Sequence, residues 1–240
     1  SLVAHSRAFL FNGFLSTASG DIQRNQAVNT MLTGQTALSS TLWIVETIGQ
    51  VYCNNQAGID AWFAALPVDL MHTTEHGLHA RSVTGGRFAP SGCTPGGFQN
   101  QVNFARDMAL RVHEAGGLVL AGSDSPTVLG AAGFSMHDEL RALQRAGFSN
   151  RDAIAAATSN AGQYLAHVLP GELPVGTIEE GAQANLLLLD RAPSQALDNF
   201  ASSLEIVMAR GNAYPRAVRE AWFERIRQEY NITCPPTCSP

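Results

Sequence analysis

Four apolar residues, Leu118-Val-Leu-Ala121, stand between Gly117 and Gly122 and run straight into Ser123-Asp-Ser-Pro126. A run that short, apolar at every position and bounded by glycines, predicts a strand buried on both faces. Pro126 cannot donate to a sheet ladder, so the strand ends before it. Asp124 is thereby set just past the carboxyl end of a buried strand, where parallel α/β folds bind their ligands. A carboxylate flanked by Ser123 and Ser125 suits a metal ligand or a general base. A turn aspartate that bonds its own backbone is the competing reading.

The chain around this run has 240 residues, 45% hydrophobic and 15% charged. That is enough apolar material for a sizeable core and lies outside the composition of disordered chains. A net charge of −5 without charge blocks argues against a nucleic-acid partner. All 15 basic residues are Arg, so a mechanism that needs a lysine cannot be completed within this sequence. No apolar run approaches the ~20 residues of a membrane span. The chain opens on Ser1-Leu-Val-Ala-His5, with neither an initiator Met nor a signal-peptide pattern, and is expected to be a fragment of a longer protein. Cytoplasm and periplasm both stay open as its compartment. Cys53 and Cys93 stand alone, and Cys234-Pro-Pro-Thr-Cys238 reads either as a small disulfide loop or as a plain tail.

Taken in order, Leu2-Val-Ala4 reads as the end of a strand, with His5 next. Residues 21–32 suit a helix that closes at Gly34. Residues 36–48, with Leu42-Trp-Ile-Val45 at their centre, are rich in β-branched and aromatic side chains and predict a second buried strand. Residues 49–97, punctuated by Pro67, Pro90 and Pro95, read as a functional loop or lid. Val102, Phe104, Met108 and Val112 fall at helical spacing and predict a helix over residues 99–115. A helix over 136–146 puts Leu140 and Leu143 inward and stops at Gly147. Asn150 is the expected cap of a helix over 151–158, and Asn160 the cap of another that ends near Leu165. Strands are expected over 184–190 and 204–210, and a surface helix over 217–230.

Four segments together resemble the carboxyl-terminal half of the metal-dependent amidohydrolase superfamily, in its imidazolonepropionase-like and prolidase-like branch. They are Ala121-Gly-Ser-Asp-Ser-Pro126, Gly133-Phe-Ser-Met-His-Asp-Glu-Leu140, Ala155-Ala-Ala-Thr-Ser-Asn-Ala161, and Gly176-Thr-Ile-Glu-Glu-Gly-Ala-Gln-Ala-Asn-Leu-Leu-Leu-Leu-Asp190. The resemblance implies an α/β fold: the carboxyl-terminal part of a metal-dependent (β/α)8 TIM barrel plus part of a composite β-sandwich. The implied division is a partial barrel over residues 1–170, a sandwich segment over 171–215, and a helix and tail over 216–240. It implies one or two divalent metal ions, zinc foremost. Asp124 takes the place of the strand-eight ligand and base, and His5 that of the strand-six ligand. The strand around Leu42-Trp-Ile-Val45 becomes strand seven. The other ligands of the family would precede Ser1. Where the family carries Ala-Asp-Leu, this chain has Ala184-Asn-Leu186, a change at a structural position. The implied activity is hydrolysis of a carbon–nitrogen bond in a small amide or dipeptide. The implied partners are that substrate and the rest of the same protein; a homo-oligomer is compatible with the pattern.

Other readings compete. His72-Thr-Thr-Glu-His76 spells the inverted zinc-protease signature, in which His72 and His76 would bind metal and Glu75 act as base. Pro67 and Gly77 leave little room for the helix that motif needs, and a chance match in a loop is the simpler reading. No G-x-S-x-G elbow accompanies Ser123 or Ser125, so both are candidates for substrate contact rather than nucleophiles. His137 and Glu139 fall near the start of a helix. Local capping and dipole stabilisation compete there with a substrate contact by His137. A non-catalytic scaffold of the same architecture is the alternative of a different class. If three strands of an eight-stranded barrel are present, their open edges make the isolated chain aggregation-prone and inactive. Turnover by purified residues 1–240 with added metal would show the opposite.

Overall fold

The computed structural model describes residues 2–4, 15–53, 60, 64, 95–125, 130–195, 197 and 200–230. Within them the architecture is mixed α/β, built on two separate three-stranded sheets. The first sheet is parallel, in the order β1 (Leu2–Ala4), β2 (Ala37–Ser39), β3 (Val119–Leu120). Its register aligns Ala4 with Ser39 and Ser39 with Leu120, so the three strands stop along one edge. Each connection crosses over through helices, as parallel pairing requires.

Helix α1 (Asp21–Thr33) follows β1 in the chain. Its amino end is held by Gln23, whose Oε1 accepts the Gly20 N–H at 2.8 Å. Gly34 closes it, as its sequence implied. Helix α2 (Leu42–Cys53) corrects the expectation for the next segment: the strand is only Ala37–Ser39, and Leu42-Trp-Ile-Val45 is helical. β-branched content favours a strand only where no tertiary contact outweighs it. Here Leu42, Trp43, Val45 and Val51 are all buried, and a carboxyl group from a distant helix satisfies the first amides of α2.

Helix α3 (Pro95–Glu114) begins four residues earlier than the periodicity indicated. Proline lacks only a hydrogen bond that the first turn cannot make anyway, so Pro95 can open it. Phe104, Ala105, Met108, Ala109 and Val112 of α3 are fully or almost fully buried. The α2–α3 crossing is close because Gly49 faces the ring of Phe98, where any side chain would collide.

After β3 come α4 (Phe134–Arg145), α5 (Asn150–Ala157) and α6 (Ser159–Val168). The cap of α5 is Ser149, whose Oγ accepts the Asp152 N–H at 3.1 Å, and not Asn150. Asn150 is instead drawn away by its neighbours, donating to the Ser194 carbonyl and accepting from Gln144. Asn160 does not cap α6 either; its Nδ2 donates to the Val119 carbonyl at 2.9 Å and ties α6 to β3. Charged groups bind the helices from outside. Glu46 on α2 pairs with Arg106 on α3 and Arg145 on α4. Asp107 on α3 joins Arg24 on α1 to Arg111.

The second sheet is antiparallel, in the order β4 (Leu186–Leu189), β5 (Leu204–Ala209), β6 (Asn212–Pro215). The third of these strands was not anticipated. Arg210 and Gly211, both at positive φ, turn β5 directly back into β6. Helix α7 (Arg216–Tyr230) packs on β5 and β6. Leu187 and Leu188 of β4 are 48% and 56% exposed. Among the described residues no helix is long and apolar enough to cross a membrane.

The joint between α6 and the second sheet depends on two glycines. A Cβ on Gly162 would strike the Val175 carbonyl, and one on Gly176, at φ +85°, would strike the Thr158 carbonyl. Both obstacles are backbone and cannot swing aside. Gly162→Ala should therefore destabilise the fold by about 1–3 kcal/mol, the usual cost of overpacking. Urea denaturation of the variant checks this, and a loss under about 0.5 kcal/mol, the scale of a neutral surface change, would show that the joint can open without strain.

Candidate active site at the carboxyl ends of the parallel strands

The common end of the parallel sheet is where the sequence placed the chemistry. Beyond β2 the chain passes through Ser40 and Thr41, both buried; beyond β3 it passes through Ala121, Gly122, Ser123, Asp124 and Ser125. Asp124 is exposed there, four residues past the last residue of β3. Its φ is +51°, and that of Thr41 on the neighbouring turn is +46°. A left-handed aspartate is tolerated; a left-handed β-branched residue is a genuine outlier. Such conformations persist only where the surroundings over-determine them, and they gather at functional sites.

The surroundings do so here. Ser40 donates its N–H to the Leu120 carbonyl at 2.9 Å and its hydroxyl reaches the same oxygen at 3.1 Å. Gly122 leaves no room for a side chain against Ser39 and Thr41. The indole N–H of Trp43 donates to the Ser123 carbonyl at 2.7 Å, which fixes the peptide that enters Asp124. Across Asp124, the Ser125 N–H donates to Ser123 Oγ at 3.4 Å. The Ser125 hydroxyl oxygen is buried without a hydrogen-bond partner among the described residues.

His137 lies on the first turn of α4, its ring tilted against Phe200 at 5.6 Å. Its Nδ1 is also buried without a partner among the described residues. Burial first, then the nearby Arg141 charge, holds its imidazole below the ordinary value of 6.5, against a smaller opposite pull from Asp138.

Glu139 is the residue whose role the sequence reading missed. It is fully buried, on the second turn of α4, and it serves a different helix from its own. One carboxyl oxygen lies against Ser40 Oγ; the other accepts the Trp43 N–H at 2.8 Å. The signal that could have found it is a carboxyl flanked by apolar core positions of an amphipathic helix, Leu140, Ala142 and Leu143, where an unpartnered charge is too costly to place.

The remaining candidates, His5 with His72, Glu75 and His76, lie outside the described residues. No group of three or more His, Cys, Asp and Glu side chains that could hold a metal occurs among the described residues. A catalytic divalent ion takes three protein ligands. Asp124 suits one of them, a carboxylate on a fixed turn at a strand end, but the described residues do not complete the set. A cavity of about 350 Å³ opens on the opposite edge of the sheet, between Thr36, Gly117, Tyr164 and His167. It sits at the amino ends of β2 and β3, away from Asp124.

No protein-family model matches the chain, and no curated protein sequence matches it. Solved structures do. An amidohydrolase superposes with a TM-score of 0.51 at 15% identity, over 89% of this chain and 39% of its own. A Xaa-Pro dipeptidase with methionine bound in its active site gives 0.52 at 15% identity, over 90% of this chain and 40% of its own. An ochratoxinase from A. niger gives 0.51 at 17% identity, over 83% and 36%. The chain shares its fold with part of these hydrolases. It spans about 40% of the length of the first two.

The depressed basicity of His137 has a thermodynamic consequence. Between its folded value and 6.5 the unfolded chain binds the extra proton, so this residue makes stability fall as the pH drops below 6.5. The ring C–H resonances of His137 should titrate at lower pH than those of a free histidine. An ordinary titration would mean that the imidazole is hydrated and not enclosed beside Phe200.

Proposed function

We propose that this chain carries the later part of a metal-dependent hydrolase that cleaves a carbon–nitrogen bond in a small amide or dipeptide, with Asp124 as its base. The observation that carries this reading is the Asp124 turn. It is a carboxylate in the left-handed conformation at the carboxyl end of a parallel sheet, entered by a peptide that the Trp43 indole holds, in a fold shared with an amidohydrolase and a Xaa-Pro dipeptidase. The parallel strands are then part of a (β/α)8 barrel and the second sheet part of a composite sandwich, with the division at residues 170 and 215.

In this reading Asp124 and His5 would hold a divalent ion, zinc foremost, together with ligands from outside this chain. When bound, such an ion lowers the pKa of water and polarises a carbonyl. Asp124 takes the proton of the attacking water on a carboxylate oxygen and returns it to the departing nitrogen. Its turn is held before substrate arrives, so the proton acceptor need not be ordered during the reaction. Ser125 Oγ and His137 Nδ1, buried and without partners among the described residues, are suited to hydrogen-bond the polar ends of a small substrate. Ser123 is occupied in shaping the turn: its carbonyl and its hydroxyl both accept.

Asp124→Asn keeps the size of the side chain and a residue type that tolerates the left-handed turn. In the intact protein it should leave folding unchanged and lower turnover of an amide or dipeptide substrate by about 10²-fold or more. Near-normal turnover would return Asp124 to the role of a turn residue. Metal analysis separates the reading from the inverted-protease one. Bound metal should drop when His5 or Asp124 is replaced and persist when His72 or His76 is; the reverse pattern would favour the protease motif. A protein that purifies without stoichiometric metal and turns over nothing would be the scaffold.

A further inference from the structure

Glu139 has no cationic partner among the described residues. Within those residues its carboxyl meets the Ser40 hydroxyl and the backbone N–H groups of Leu42 and Trp43. A charge that is fully buried and unpaired is expensive, and proteins avoid it by neutralising the group. The hydroxyl of Ser40 adds a proton-counting argument. It carries a single hydrogen, yet lies within bonding distance of both the Leu120 carbonyl and the Glu139 carboxyl. An un-ionised Glu139 satisfies both contacts: its O–H donates to Ser40 Oγ, and Ser40 donates onward to Leu120, while the second carboxyl oxygen still accepts from Trp43.

We propose that Glu139, held as the neutral acid, is the positioning residue that sets the Asp124 turn, through Ser40 on one side and Trp43 on the other. From Ser40 the chain of bonds reaches the last carbonyl of β3; from Trp43 the indole reaches the Ser123 carbonyl. The two routes grip the segment before Asp124 at both ends. The functional weight of this inference rests on the proposed role of Asp124; the geometry it asserts does not.

The surrounding charges favour the same form. Burial pushes the Glu139 carboxyl up to about 8, against its contacts with Ser40, Trp43 and Leu42, and the Glu46 carboxylate on α2 adds to the rise. Glu46 is itself engaged by Arg106 on α3 and Arg145 on Glu139's own helix. On that helix Asp138 and Arg141 pair with each other. On α5 Arg151 is exposed, and Asp152 lies 3.6 Å from His113 of α3. β2 and β3 bring no charged side chain. The unfolded chain loses this proton near 4.5 and the folded chain near 8, so the residue's contribution makes stability fall as pH rises across that window and level off above it.

The test compares three variants in the intact protein, because the two protonation states predict opposite results for one of them. Glutamine is the isostere of the neutral acid: its amide N–H donates to Ser40 and its carbonyl accepts from Trp43. Glu139→Gln should keep the Trp43 indole proton protected from exchange, keep turnover, and abolish the fall in stability between pH 4.5 and 8. Glu139→Met, with similar bulk and no hydrogen bonds, should raise indole exchange about tenfold, the worth of roughly one lost hydrogen bond, and lower kcat more than it changes KM. Trp43→Phe gives a reading even if the methionine variant does not fold: exchange at the Ser125 amide should rise by about the same factor while the amides of α5 stay protected. A glutamine variant as impaired as the methionine variant would mean an ionised cap and would overturn the neutral-acid form. An unchanged Ser125 amide in Trp43→Phe would overturn the positioning. If exchange behaves as expected but Asp124→Asn retains full turnover, the geometry stands and the role of Asp124 fails.

Discussion

One buried carboxyl ties α4 to the start of α2 and to the ends of β2 and β3. Glu139 comes from α4, yet it closes the first turn of α2 and lies against the hydroxyl that links β2 to β3. A helix start leaves unsatisfied N–H groups, and inside a core there is no water to meet them. Supplying the acceptor from another helix makes the satisfaction of α2 conditional on the docking of α4. Local and global structure then form together, a consistency that a cap within the same segment would not enforce.

The strained turns at the strand ends follow from this arrangement. Thr41 stands between Ser40 and Leu42, both of which Glu139 contacts, so its left-handed φ is imposed by its two neighbours. Asp124 is imposed in a similar way by the indole above Ser123 and by the lack of space at Gly122. Strain of about 1–3 kcal/mol per such residue is kept only where the rest of the fold can offset it. Here the α2–α3–α4 packing, with its fully buried Phe104, Met108 and Leu143, is the reservoir. The result is a carboxylate that is exposed but not loose. Both properties suit the proton transfer proposed for Asp124.

The two sheets differ in how complete they are within the described residues. The parallel sheet is covered by helices and lies in the main core; the antiparallel one leaves leucines of β4 facing outward. The likeness to the hydrolases covers less than half of their chains. It concerns fold, and an activity has to be argued from the site. The site is local. It needs only the turn that holds Asp124 and the polar atoms of Ser125 and His137 that have no partner among the described residues.

Much of this was legible in the sequence because it depends on short-range rules. Two glycines and a proline delimit β3, and the same residues put Asp124 at its carboxyl end. The helical spacing of Val102, Phe104, Met108 and Val112 located α3 to within a few residues, and Gly34 ended α1 where expected. The failures have one physical origin. At Leu42-Trp-Ile-Val45 the local preference was for a strand, and a hydrogen-bond acceptor 96 residues away in the chain made it a helix. Asn150 and Asn160 had the composition of caps, yet distant carbonyls took both side chains, leaving α5 to Ser149. The sequence by itself determined which residues could lie at the strand ends and what chemistry they could offer. Only the tertiary structure decided how they are held, because a buried polar group is satisfied by whatever the fold brings to it, and sequence spacing does not reveal that partner.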